Sequence, residues 1–423
     1  MFRFIIAGCL FLNVVGLSKV VFANELAGNE PVCGEIGNTK EFVVCALQNH
    51  PLIQESSYDL EIGKGLIKEA RRIPNPEIEL GVSQTDNIGQ TSDTVDLALM
   101  MPIEIGGKRG SRINKALAKS ELINSEVLKI QELVVLNSLL KIYRLRQVKV
   151  ELGLIIESLS TFKKVKQQYK NRKSLGPEQA VSLDIFSLAE ADYTMRHSAL
   201  EAEKGELERE LSLYIGKKIK PDKNILPKFK SEWPVLSDTA KLAGSDILIS
   251  RAKRKIAESE LEIARSNAWP DLAIGPTYSV ETENNDRITT VGVGLQMPLP
   301  VFNLNGGNKA VAYAEKRKAE VSQKTQEVNL ANRRENLVEI YRSITNRLKK
   351  INPESLGEVK HKRIHRYLKR GVVEASLVIE SHRQIVEFQE HTNEQELKAV
   401  SALWQVRALD GVLLDEVKNI NNP

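Results

Sequence analysis

The stretch Ala70-Arg71-Arg72-Ile73-Pro74-Asn75-Pro76-Glu77-Ile78-Glu79-Leu80-Gly81 returns 194 positions later (264 − 70) as Ala264-Arg265-Ser266-Asn267-Ala268-Trp269-Pro270-Asp271-Leu272-Ala273-Ile274-Gly275. The echo is collinear: Met101-Pro102 is answered by Met297-Pro298, Gly106-Gly107 by Gly306-Gly307, and Leu213-Tyr214-Ile215-Gly216 by Ala408-Leu409-Asp410-Gly411. A repeat of this length and order means two copies of one structural unit. Each copy reads as helix, strand, turn, strand, very long helix, tip, long helix.

Past each quoted stretch the hydrophobic pattern has a period of two. Ile78, Leu80 and Val82 alternate with Glu77, Glu79, Gly81 and Ser83, and Val95, Leu97, Leu99 and Met101 with Thr94, Asp96 and Ala98. In the second copy Leu272, Ile274, Tyr278 and Val280 oppose Asp271, Ala273, Gly275 and Thr277, while Val291, Val293, Leu295 and Met297 oppose Thr290, Gly292, Gly294 and Gln296. Each segment makes a strand with one greasy and one polar face. The strands predicted at about 77–85, 94–101, 271–280 and 289–297 have the length that crosses a tilted outer-membrane barrel. Alternation alone leaves two readings open, a soluble hairpin lying on a helix and a membrane-spanning pair. Four strands cannot close around a polar lumen, and an open edge in lipid leaves backbone groups that cost several kcal/mol each. If these strands span, several copies must pool them. The polar loops 86–93 and 281–287 would then face outward.

The helices are too long for a compact domain. Residues 110–171 contain no proline and one internal glycine, Gly153, so an unbroken helix there would reach roughly 90 Å at about 1.5 Å per residue. Leu136, Leu140, Tyr143, Val150 and Leu154 mark one seam, and Val135, Leu139, Ile142, Ile155, Leu159 and Phe162 an adjacent one. A helix with two seams packs between two neighbours. A return helix is predicted over 182–216. The second copy has helices over 309–370, bent or broken at Asn352-Pro353, and 376–417. The chain thus divides into repeat 1 (51–220), a linker punctured by Pro221, Pro227 and Pro234 (221–237) that could pack outside the helices, repeat 2 (238–417) and a short tail (418–423). A solvated coiled-coil rod would account for the heptads but not for the paired strands.

The first residues set the compartment. Arg3 precedes an apolar run, and Val21-Phe22-Ala23 suits signal peptidase, so residues 1–23 read as a cleaved secretory signal. Ile6-Ala7-Gly8-Cys9 matches a lipobox, but a leader ending at Gly8 has almost no apolar core, and Asn13, Ser18 and Lys19 interrupt the run needed for an uncleaved anchor. No later segment is apolar enough to span as a helix. Residues 24–50 read as an N-terminal periplasmic arm. Its Cys33 and Cys45, in an oxidising space, suggest a local disulfide, since His50 alone adds too few ligands for zinc. The net charge of +5 falls to +3 without Arg3 and Lys19. No basic domain stands out, which argues against nucleic acid as a partner.

Met101-Pro102-Ile103-Glu104-Ile105-Gly106-Gly107-Lys108-Arg109 resembles the outer-membrane efflux channels of the TolC family, and its Ile-Glu-Ile-Gly-Gly-Lys-Arg part is most similar to their heavy-metal, cobalt–zinc–cadmium branch. Ala268-Trp269-Pro270-Asp271-Leu272 and Met297-Pro298-Leu299-Pro300-Val301-Phe302-Asn303 carry the likeness into the second copy, so that it covers nearly the whole mature chain. The resemblance implies a mainly α protein with transmembrane β. Its homotrimer would pool four strands per chain into a 12-stranded barrel, continuing into a long periplasmic α-helical barrel. It implies a passive channel without cofactor or enzymatic activity. The implied partners are a periplasmic adaptor (membrane fusion) protein, an inner-membrane proton-driven pump of the RND type and outer-membrane lipid. Heavy-metal cations are the implied cargo. Drug efflux, type I protein secretion, or a pore-less periplasmic coiled-coil scaffold are the alternatives. The chain departs from many metal-branch members in having no cysteine after the cleavage point for lipid attachment, and its first tip is longer than its second.

No catalytic constellation is present. His361 and His365 are spaced i, i+4, but Lys362, Arg363, Arg366, Lys369 and Arg370 surround them with positive charge that opposes a divalent ion. Gly106-Gly107-Lys108 lacks the spacing of a phosphate loop. Those glycines, with Gly306 and Gly307, read instead as strand-to-helix junctions. Glu77, Glu79, Asp96 and Asp271 fall on the polar faces, where a trimer would repeat them around a pore. They would either attract cations or simply solvate a lumen. At the far end, Lys170, Arg172, Lys173, Gly176, Asp184, Lys369, Arg370, Gly371, Glu374 and Glu380 gather near the two tips, residues 169–184 and 367–380. They mark an expected aperture and adaptor dock. Exposed pairs are worth about 0–1 kcal/mol, so only a network would latch it.

Overall fold

The computed structural model describes residues 33, 36–87, 90–221, 225–229, 232–238, 241–283, 286–350, 363, 366 and 374–418. The signal segment, His361, His365, Lys369, Arg370 and Gly371 lie outside the described residues.

Among the described residues two helices come first. Asn38 caps α1 (Thr39–Asn49) by accepting the Glu41 N–H, and the Nδ1 of His50 accepts the Leu52 N–H at 3.2 Å, with Pro51 at the first position of α2 (Pro51–Ala70). In the described part of the stretch 24–50, Phe42, Val43 and Ala46 are fully buried, because α1 lies on the long helices. Cys33 and Cys45 are disulfide-bonded, their Cα atoms 5.5 Å apart.

The sheet follows, all antiparallel in the order β1 (Glu77–Asn87), β2 (Gln90–Ile103), β3 (Leu272–Glu283), β4 (Asp286–Gln296). The two halves of the chain meet at β2 and β3, where Leu97 lies opposite Tyr278. The strands run further than the alternation indicated. Asp86 pairs with Thr91 and Thr282 with Arg287, so much of what read as polar loop continues the ladder. Backbone hydrogen bonds do not stop where side-chain amphipathicity does.

Beyond the sheet, α3 (Lys108–Lys170) runs 63 residues without a break at Gly153. The return helix α4 (Pro177–Ile215) starts at Pro177, ahead of the expected 182, because a first-turn proline needs no hydrogen-bonded N–H; Gly216 ends it at φ +70°. After the linker come α5 (Ser245–Ser266), α6 (Gly306–Leu348), α7 (Ala375–Leu409) and α8 (Leu413–Lys418). The expected helix 376–417 is therefore two helices. Gly411 separates them at φ +72°, pressed so closely on Ala243 that a Cβ there would stand 2.6 Å from its carbonyl oxygen.

The two seams of α3 exist, with altered membership. Val135, Leu139 and Tyr143 pack with Tyr341, Leu403 and Trp404 of α6 and α7, while Ile142, Leu145, Val148 and Leu152 pack with α1 and with Leu207, Leu211 and Ile215 of α4. Val150, assigned to a seam by heptad spacing, is 44% exposed, since the rows follow the straight-helix i, i+4 and i, i+3 intervals. The linker packs on these helices: Trp233 is buried beside Tyr341, whose hydroxyl donates to the Pro234 carbonyl at 2.6 Å.

Candidate functional site

The sheet supplies the first functional surface. On one face Ile78, Leu80, Val82, Val291, Val293 and Leu295 are each 68–76% exposed, an apolar patch that one chain leaves uncovered. On the other, Glu77 lies opposite Met100, Glu79 opposite Ala98, and Asp96 between Gly81 and Ser279. Thr277, Gly292, Thr290 and Gly294 complete that face, which is polar and lean. β1 and β4 each present one unpaired backbone edge. Asp271 departs from expectation: it precedes β3, and its carboxylate accepts from the Lys108 ammonium at 2.7 Å at the junction with α3. Sequence pattern missed Met100, which is buried on the polar face near Gly294, and the reason position 275 is glycine. A Cβ there would stand 1.8 Å from the Leu99 carbonyl oxygen.

All four sheet–helix crossings lie at one end of the sheet and form a collar. Gly106 and Gly107 adopt φ +73° and +78°, and a Cβ on Gly106 would come within 2.5 Å of the Trp269 ring. Gly306 and Gly307, matched to them by sequence, do not turn the chain. They are the first residues of α6, and Asn305 turns it at φ 59°, a region asparagine tolerates. The Asn305 Nδ2 donates to the Ala264 carbonyl at 2.8 Å, tying α5 to α6. Arg112 does the corresponding work in the first copy, donating to the carbonyls of Ala70 (3.1 Å) and Arg72 (3.0 Å) and pairing with Glu104. That pairing holds the Glu104 carboxyl below the usual carboxylate range.

Toward the tip, Phe162, Phe186 and Tyr193 form an aromatic core with Val165, Val378 and Val386. Phe162 and Tyr193 meet edge to face at 5.1 Å, and burial raises the Tyr193 phenol to about 12. Arg172 stacks over Tyr169 at 5.1 Å, and Lys166 pairs with Glu190 at 2.6 Å across the hairpin. Glu380 is held by Arg383, three residues along its own helix, at 2.6 Å. Among the described residues no ion pair joins Lys170, Arg172 or Lys173 to Asp184, Glu374 or Glu380. The expected clasp is not formed within one chain there: Arg383 takes Glu380, and Arg172 lies on the Tyr169 ring.

Midway along the helices lies a polar layer that the seam pattern concealed. Glu396, fully buried on α7, accepts from Arg146 and from the Gln147 amide at 2.9 Å. Gln147 also donates to the Asn393 carbonyl, Asn393 donates to Glu151 at 2.7 Å, and Arg144 joins Glu151 to Glu203 of α4. The signal was visible as Arg144, Arg146, Gln147 and Glu151 inside an apolar run. Nearer the collar, Glu132 accepts the Ser245 N–H at 3.4 Å and its hydroxyl, capping α5, beside a cavity of about 100 Å³ lined by Lys129, Asp246 and Leu330. Burial pushes its carboxyl up to about 7. Among the described residues no group of three or more His, Cys, Asp or Glu could hold a metal, and no helix is long and apolar enough to cross a membrane.

A two-faced, four-stranded sheet joined through a collar to a bundle of very long helices is the fold of a protomer of the TolC-type outer-membrane efflux channels. The structure resembles that of CusC, whose crystal structures concern folding and transmembrane channel formation (TM-score 0.63, 14% identity, 90% of this chain and 92% of that one). It also resembles the open state of the Neisseria gonorrhoeae MtrE outer membrane channel (TM-score 0.65, 14% identity, 89% and 90%). In sequence the chain is similar to the cobalt-zinc-cadmium resistance protein CzcC of Cupriavidus metallidurans, 25% identical over 292 residues that span 66% of this chain and 66% of that protein. No protein-family model matches.

Proposed function

We propose that the chain is a passive outer-membrane exit channel of a tripartite efflux system, with heavy-metal cations as its cargo. The observation that carries this reading is the sheet: one greasy face, one lean polar face and two open edges on a single chain. Three copies joined edge to edge satisfy the backbone, turn the greasy face to lipid and enclose water. The polar face, with Glu77, Glu79 and Asp96, then lines the lumen, and the long helices continue the duct through the periplasm. The name of the CzcC relative supports metal cations over drugs or polypeptides. Transport energy comes from an inner-membrane pump reached through an adaptor, and the duct itself performs no chemistry.

The tips, with Lys170, Arg172, Lys173, Gly176, Asp184, Lys369, Arg370, Gly371, Glu374 and Glu380, form the adaptor dock and the aperture in this reading. Conductance of the purified protein in planar bilayers tests the channel, with cross-linking to count the copies. In the closed assembly these cations pair with acids of a neighbouring copy in this reading, so reversal of Lys170, Arg172 and Arg370 to Glu should raise conductance and lower cation export by cells. Absence of any pore sinks the proposal, and unchanged conductance together with unchanged export moves gate and dock elsewhere.

A further inference from the structure

The collar carries a surface that the channel reading does not use. Leu299, Val301 and Phe302, between β4 and α6, are 72%, 71% and 102% exposed, and Trp269 at the start of β3 is 59% exposed. Leu299 and Val301 keep the alternate spacing of Val291, Val293 and Leu295 past the last strand residue, Gln296. On the helical side of the same collar stand Arg71, Arg265 and Lys309, none with a carboxylate partner among the described residues. Three acids of that level are taken: Glu69 pairs with Arg72, Glu104 with Arg112 and Asp271 with Lys108, while Glu262, one turn from Arg265, accepts from the Asn114 amide at 3.3 Å. Glu77 and Glu79 lie on the opposite, polar face.

We infer that this collar is a binding surface for anionic phospholipid headgroups of the leaflet nearest the helices, an inference that rests on the outer-membrane reading. Two properties select lipid over a second copy of the chain as the occupant. The apolar part directly follows the strand whose greasy face the channel reading turns to lipid. A neighbouring copy has its carboxylates nearest the strands already paired, whereas a phosphate headgroup beneath an acyl layer supplies both the charge and the greasy boundary. Aromatic side chains at that depth fit the same boundary.

Trp269 is the reporter, since Trp233 and Trp404 are buried at 6% and 3% exposure. Full-length protein is reconstituted in phosphatidylcholine vesicles carrying either brominated phosphatidylglycerol or brominated phosphatidylcholine. Quenching is read against a Trp269→Phe background, after flotation confirms insertion. Phosphatidylglycerol should quench with a relative association constant higher by about fivefold for each cation engaged. The preference should fall toward unity in the triple variant Arg71→Ser, Arg265→Ser, Lys309→Ser, which leaves every collar ion pair in place. Protein that floats but is quenched equally by both lipids overturns the inference alone. Floating protein with no Trp269 quenching shows that protein covers the collar and overturns it too, as does a triple variant that keeps the preference. Protein that does not float overturns the channel reading, and this inference with it.

Discussion

Replacing Glu132 by Gln should stabilise the protein at neutral and alkaline pH and leave it unchanged in acid. Glu132 is 8% exposed, caps α5 through Ser245 and has its carboxyl pushed from 4.5 up to about 7, burial being the largest cause and the nearby Asp246 a further one. A folded value above the unfolded one means that the native state holds a proton more tightly, so stability falls as pH rises through the interval between the two values. Below about pH 4.5 the group is protonated in both states and there is no penalty. Above about pH 7 it is ionised in both and the full penalty applies. At about 1.36 kcal/mol per pH unit, the shift corresponds to about 3 kcal/mol. Glutamine keeps the shape and an acceptor for the Ser245 hydroxyl but removes the ionisation. Melting temperatures of detergent-purified wild type and Glu132→Gln, taken from pH 4.5 to 8, should coincide in acid and separate by several degrees above pH 7. Parallel curves, or a variant less stable at pH 8, would refute the assignment of the penalty to this carboxyl.

Arg in place of Leu80, Leu97, Ile274 or Val293 should cost about 2–4 kcal/mol near mid-bilayer and impair assembly, read by native electrophoresis, whereas Gly81→Arg, beside Asp96 on the polar face, should assemble. Gly106→Ala combines a left-handed backbone with a clash on Trp269, about 2–5 kcal/mol together. Gly107→Ala, with open space around it, should cost only the backbone part of about 1–2 kcal/mol. Equal melting temperatures for the two would show that the Trp269 contact is immaterial. Cys33 and Cys45 should appear linked in mass spectra taken without reduction. Replacing both by Ser should lower stability by about 3 kcal/mol, and free thiols in envelope-derived protein would contradict the bond.

The sheet and the long helices were legible because each rests on a periodicity that the sequence displays directly: two in Ile78-Leu80-Val82, and an unpunctuated run through α3. Pro177 and Gly411 show where the reading fell short. Their effect depends on local backbone geometry, so the sequence indicated a boundary without its position. Gly306 and Gly307 illustrate a different limit: alignment of the copies matched residue types, while the structure assigns the turn to Asn305. The charged tip residues were identified as a group, but Glu380 had an equally visible partner in Arg383 on its own helix. The buried layer at Glu396 was hidden because its members come from α3, α4 and α7, and only the fold brings them together.

The sheet's strand order also constrains symmetry. Its two free edges belong to different strands, β1 and β4, with different sequences. The junction of β2 with β3 is made within one chain, so these dissimilar edges are what the sheet offers for further strand pairing. Joining β4 of one chain to β1 of the next is a head-to-tail contact that uses a different surface on each side. Such a contact, repeated, either closes into a ring or extends as an open filament. In a ring every edge is matched, whereas a filament always exposes two. In the proposed channel this polarity favours cyclic closure, and an isologous dimer would leave its outermost strands unpaired.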